Sequence, residues 1–158
     1  CCSAYVLVNP LMKSLGMARG LTNSQALAGV MAASIANIVG RFALPWLSDL
    51  AGRKKILRMI YLLCTVSVIG VSAAGGLLFI VLISAVCLVY GGVVSLFPVV
   101  VSDHFGTKYQ GINYGAVMIG YGLISILCPY LLDIAGIELS FILAGVASGV
   151  GLFLLKFL

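Results

Sequence analysis

Arg41 stands inside an almost wholly apolar stretch, SIANIVGRFALP (Ser34–Pro45), eight residues before the acidic group Asp49. Asn37 precedes it by one helical turn and so shares its face if the stretch is a helix. A guanidinium can hold a carboxylate through two parallel hydrogen bonds, and an amide beside it adds donors. That pair therefore suits anion binding. Two readings stand side by side: Arg41 faces a watery interior and binds an anion, or it snorkels to the nearby loop and pairs with Asp49 or a lipid headgroup. Tyr90 in CLVYGGVV and Tyr121 in MIGYGLIS place phenols in other apolar runs. Each can donate one hydrogen bond to a substrate oxygen, or can be a packed aromatic bonded to nearby backbone. Asn113 and Tyr114 read as capping or packing residues, and Asp103 and His104 as loop residues.

The elements that must position these groups are set by composition. Of 158 residues, 63% are hydrophobic and 8% charged, with a mean hydropathy of +1.24. A soluble domain carries about 25% charged residues, so this is a membrane protein. A span needs about 20 residues, which leaves room for about six and for no soluble domain. The expected fold is an all-α, six-helix transmembrane bundle with spans near residues 1–12, 25–48, 56–73, 77–101, 112–132 and 139–157. The first is only about half a span long, so the chain reads as entering inside a truncated helix.

The net charge of +5 does not signal nucleic acid, because the basic residues lie in short loops and form no continuous face. They act as topology signals. Alternating loops put Arg53, Lys54, Lys55, Arg58, Lys108 and Lys156 on one side, cytoplasmic by the positive-inside rule, and Lys13 and Arg19 on the other. KSLGMARGLTNSQ and DIAGIE, flanked by Asp133 and Glu138, read as outer loops, with DLAGRKK and SDHFGTKYQG inside. The five cysteines (Cys1, Cys2, Cys64, Cys87, Cys128) have no CxxC spacing and His104 is the sole histidine, so they read as small apolar residues. No metal or cofactor pattern is present. Gly111 with Gly115, Gly145 with Gly149, and Ala36 with Gly40 have the spacing of close helix packing.

One loop carries more than topology. PWLSDLAGRKKIL (Pro45–Leu57) sets Asp49, Gly52, Arg53 and Lys54 in a fixed order that a plain cluster of positive charge does not require. The order resembles the cytoplasmic loop signature of the major facilitator superfamily, G-x-L-x-D-x-x-G-R-K. Leu47, Asp49, Gly52, Arg53 and Lys54 match it, while Pro45 replaces the leading Gly and Leu50 a common Arg. NIVGR, WLSDLAGRKK and FGTKYQGINYG together are similar to the oxalate/formate antiporter family within that superfamily, related to monocarboxylate transporters. The likeness covers nearly the whole chain and corresponds to the C-terminal half of a twelve-helix fold.

The resemblance implies secondary transport of a small organic anion by alternating access at the plasma (inner) membrane. It also implies an N-terminal six-helix half as partner, an arginine of the Arg41 helix as anion holder, and no enzymatic chemistry. Oxalate-exchanging members carry a second cation in the fifth span, and this sequence has none there. One cation favours a monocarboxylate such as lactate, pyruvate or formate over oxalate. No Asp or Glu falls within an expected span, so a proton coupled to transport would be carried by the other half. A carrier of another solute, or a non-transporting receptor or scaffold, fits the same composition.

Overall fold

A computed structural model of the chain describes residues 1–154, the side chains of residues 135, 138 and 154 aside. The described residues form helices α1 (Cys2–Ala18), α2 (Asn23–Ala51), α3 (Arg53–Ala73) and α4 (Gly76–Phe105), followed by a long helical stretch, Gln110–Leu154. That stretch breaks at Gly136 (φ 74°, ψ 173°). It yields α5 (Gln110–Ile134) and α6 (Leu139–Phe153). The protein is thus an all-α membrane bundle of six helices, four of which (α2 to α5) are long and apolar enough to cross a bilayer.

Burial follows the distribution of apolar residues. In α3 the buried positions Ile56, Leu57, Ile60, Cys64, Ser67, Val68 and Val71 recur every three or four residues, one stripe of a helix whose other side meets lipid. α4 is apolar all round and lies against α1, α2, α3 and α5. Its Phe79, Ile83, Val86 and Val89 anchor the core together with Cys64 and Cys87. α5 is the opposite case: only 6% of its most apolar window is buried, against 44% for α4. Trp46, Phe105 and Tyr109 are exposed near the end that carries Arg53, at the level where amphipathic rings meet headgroups.

The helices run further than the hydropathy suggests, and the loops are correspondingly short. α1 continues through Lys13 to Ala18, so the first connection is residues 19–22 rather than the thirteen-residue stretch from Lys13. α2 starts at Asn23 because Thr22 and Gln25 form a capping box: Gln25 N–H donates to Thr22 Oγ1 and Thr22 N–H to Gln25 Oε1. Asp103 and His104, expected in a loop, occupy the last turn of α4. A charged side chain does not end a helix whose backbone bonds must be satisfied internally. The stops come instead at glycines able to take positive φ, Gly52 at 94° and Gly106 at 75°. Pro45, Pro98 and Pro129 all lie inside their helices. The end of the sixth expected span and Lys156 lie outside the described residues.

Of the glycines in the spaced pairs, Gly40 and Gly145 pack closely and Gly111, Gly115 and Gly149 do not. A Cβ on Gly111, Gly115 or Gly149 would meet nothing within 4 Å, whereas one on Gly145 would lie 2.9 Å from Ile69. The tightest approach joins α2 to α4. There a Cβ on Gly40 would fall 2.0 Å from the Leu88 carbonyl oxygen, and one on Gly91 2.2 Å from that of Asn37. These two backbones touch directly, in the manner of membrane helices held by van der Waals contact.

Candidate functional site

That contact fixes Arg41. Asn37 and Tyr90 sit at the midpoints of α2 and α4. Ten residues separate Arg41 from Ala51, the last residue of α2, placing its Cα about 15 Å from the helix end. The side chain does not reach for that end. Its Nε donates to Asn37 Oδ1 at 3.2 Å, one turn toward the middle of the helix. Asn37 Nδ2 in turn donates to the Cys87 carbonyl at 3.1 Å, so the amide bridges α2 to α4 while holding the guanidinium. The two terminal NH2 groups of Arg41 have no acceptor among the described residues. They form a planar fork of donors on an exposed face, the geometry that matches a carboxylate.

Asp49 is engaged elsewhere and does not pair with Arg41. It forms an ion pair with Arg53, 3.7 Å away. Arg53 also binds Asp103 of α4 at 2.7 Å through Nε. Both carboxylates lie in the last turns of their helices, where the macrodipole disfavours negative charge, and Arg53 between them offsets that cost. Its Nη1 is buried without a hydrogen-bond partner. Thus the Asp-Gly-Arg order of the loop is used: Gly52 turns the chain and Arg53 ties the turn to α4. Lys54 is exposed beside it. At the opposite end Arg19 performs a similar tie. Its guanidinium donates to the carbonyls of Val71 at 2.6 Å and Ser72 at 2.9 Å. It also donates to that of Ala74, capping α3, and lies over the Phe79 ring at 5.4 Å.

Beside Arg41 the helices gather a layer of phenols. Tyr90 hydroxyl donates to the Tyr121 hydroxyl at 3.4 Å, joining α4 to α5. On its other side the Tyr90 ring stacks on Tyr5 of α1, with centroids 3.7 Å apart and planes within 2°. Tyr5 did not stand out in the sequence. Its signal was a tyrosine in the short apolar run before Lys13, yet nothing in the spacing of one chain brings residue 5 to residue 90. Tyr114, read as a packing residue, joins Tyr90 and Tyr121 in lining a cavity of about 210 Å³ between α1, α4 and α5. The remaining wall is apolar, with Val94, Phe97 and Val117 among its residues. Asn113 and His104 do not line it.

Tyr90 and Tyr121 therefore share the cavity, with Tyr5 stacked on Tyr90, and Arg41 and Asn37 do not line it but meet the adjoining stretch of α4 at Cys87 and Gly91, while Asp49, Gly52, Arg53 and Lys54 form a separate cluster at a helix end. A fork of donors can hold and orient an anion. Among the described residues there is no group of His, Cys, Asp or Glu able to hold a metal.

A sequence profile of the Major Facilitator Superfamily matches residues 1–129. The chain is also 32% identical over 124 residues to an uncharacterised MFS-type transporter, YhjX, of Escherichia coli strain K12. The match covers 71% of this chain and 30% of that relative, so the chain spans about a third of the length of the curated relative it matches. Relatives of this kind move solutes across membranes rather than transform them, which sets an enzymatic reading aside. With more than half its length inside the family profile, this six-helix integral membrane chain belongs to the Major Facilitator Superfamily.

Proposed function

We propose that the chain is the C-terminal half of a carrier of small organic anions, with Arg41 as the group that holds the substrate. The supporting observation is the state of Arg41: a cation well inside its helix, oriented by Asn37, its terminal NH2 groups having no acceptor among the described residues. A cation in a transmembrane helix costs a few kcal/mol on insertion scales and faces an interior or a pathway. Tyr90 and Tyr121 supply further hydroxyls, and Asn37 acts as the residue that positions the guanidinium. One cation without a second in α5 favours a monocarboxylate such as lactate, pyruvate or formate over oxalate, in keeping with the likeness to the oxalate/formate antiporter family. Two halves rocking about a central site would carry the anion. Protons are the candidate coupling ion, with their carboxylate in the N-terminal six-helix half. The carrier acts at the plasma (inner) membrane.

The test is uptake of labelled lactate and oxalate into liposomes holding the full-length transporter, wild type beside Arg41→Gln, with and without a pH gradient. Saturable uptake of an anion that the substitution abolishes is the expected result, and stimulation by an inward proton gradient would identify symport. Equal apparent affinity in the two proteins would return Arg41 to a structural role.

A further inference from the structure

The cavity beside Arg41 is larger and drier than a site for a one- or two-carbon anion needs. Its volume is about 210 Å³, and apart from the three tyrosines and Cys2 it is bounded by apolar side chains. An apolar cavity of about 150 Å³ is enough to take a benzene molecule and to exclude water when no polar partners line it. The Tyr90 hydroxyl is already committed to that of Tyr121. Water in the apolar part would find few partners. Formate or oxalate held at Arg41 would leave that part unfilled.

Arg41 does not itself line the cavity, but its helix packs against the stretch of α4 that does. The backbone of Arg41 lies against Gly91, with its nitrogen 3.3 Å from where a Cβ on Gly91 would stand. Gly91 follows the cavity-lining Tyr90, and Val94, a further lining residue, comes one turn later on α4. Tyr5 covers the Tyr90 ring from α1. We infer that the carried anion is amphipathic: a monocarboxylate whose head is held by Arg41 and whose apolar body, of the size of a phenyl ring or a branched four- to five-carbon chain, fills the cavity lined by Val94, Phe97, Val117 and the three tyrosines. This rests on the reading of Arg41 as the anion holder.

The consequence is a graded affinity. Burying a methylene gains about 0.8 kcal/mol, or about fourfold in binding. Calorimetric titration of the purified full-length transporter with formate, propionate, isovalerate and benzoate reads that gradient directly, with benzyl alcohol controlling for partition into detergent. Affinity should rise at least tenfold from propionate to benzoate, and benzyl alcohol should bind far more weakly. Val94→Phe fills the cavity from α4 and Val117→Phe from the more exposed α5, so that one variant remains informative if the other misfolds. Either should flatten the gradient, chiefly by weakening isovalerate and benzoate. A flat series in the wild type, with binding still abolished in Arg41→Gln, overturns the apolar body and leaves the anion site standing. A series unchanged by Arg41→Gln, or no binding by any carboxylate to the folded protein, overturns both.

Discussion

Asn37 is the side chain on which the geometry of Arg41 depends. Its amide is fully directed, Oδ1 toward the guanidinium and Nδ2 toward the Cys87 carbonyl. Asn37→Ala removes about 1 kcal/mol of hydrogen bonding from each side. The expected outcome is a rise of about five- to tenfold in the half-saturation constant for the transported anion with a smaller change in maximal rate. Saturation kinetics in proteoliposomes measure it. Tyr90→Phe keeps the ring stacked on Tyr5 and removes only a hydroxyl, so it should cost about two- to fivefold in the same constant. Arg41 was legible in the sequence because a cation amid apolar residues is rare and costly. Asn37 was legible by its spacing of four. What could not be read was the direction of the Asn37 amide, which depends on a carbonyl of a helix fifty residues away.

At the scale of the helix, the α2–α4 contact and the Arg19 cap make opposite kinds of prediction. Gly91→Ala would place a methyl group 2.2 Å from a backbone oxygen, and the helices must part to admit it. A loss of about 1–3 kcal/mol is expected, seen as a lowered melting temperature in detergent, along with weakened anion binding because Arg41 shifts with α2. Gly149→Ala is the control, since a Cβ there meets nothing within 4 Å, and stability should stay within about 0.5 kcal/mol. Arg19→Ala strips α3 of three capping bonds and should destabilise by about 2 kcal/mol. The existence of these helices was plain from hydropathy. Their ends were not, because hydropathy falls at Lys13 and Asp103 while backbone bonding carries on to Ala18 and Phe105. The better guide was glycine, at Gly52 and Gly106. Likewise spacing pointed both to Gly111 and Gly115, which face nothing within 4 Å, and to Gly40, which meets a facing backbone as Gly91 does.

For the whole molecule, the uneven burial of the spans is informative. α5 is nearly bare and α2 only 22% buried, against 39% for α3 and 44% for α4. α5 brings Tyr121 to the cavity and α2 brings Arg41, so two site-bearing helices are the ones left open, as expected if the proposed second half packs there. The 158-residue chain alone should therefore give no uptake above empty liposomes, with restored uptake on co-expression with the N-terminal half. Uptake by the chain alone would refute this. The Arg53 cluster adds a conformational prediction. Its ion pairs are partly exposed, at 33% for Arg53 and 44% for Asp103, so each contributes only about 1 kcal/mol. Asp103→Asn should leave melting nearly unchanged and alter the transport rate by a fewfold. Exchanging the partners, Arg53→Asp with Asp103→Arg, should recover part of that rate.

The backbone contact at Gly40 and Gly91 also limits how such a carrier could move. Where the two backbones touch at Gly40 and Gly91 and the Asn37 amide bridges them, α2 and α4 have little slack to splay, so Arg41 and Tyr90 travel as one body. Distance labels on α2 and α4 would report a constant separation through the transport cycle. Under the proposed function, release of the anion would then fall to the least buried parts, α5 with its Tyr121 and whatever closes over α2. The grip stays rigid, and its cover does the opening.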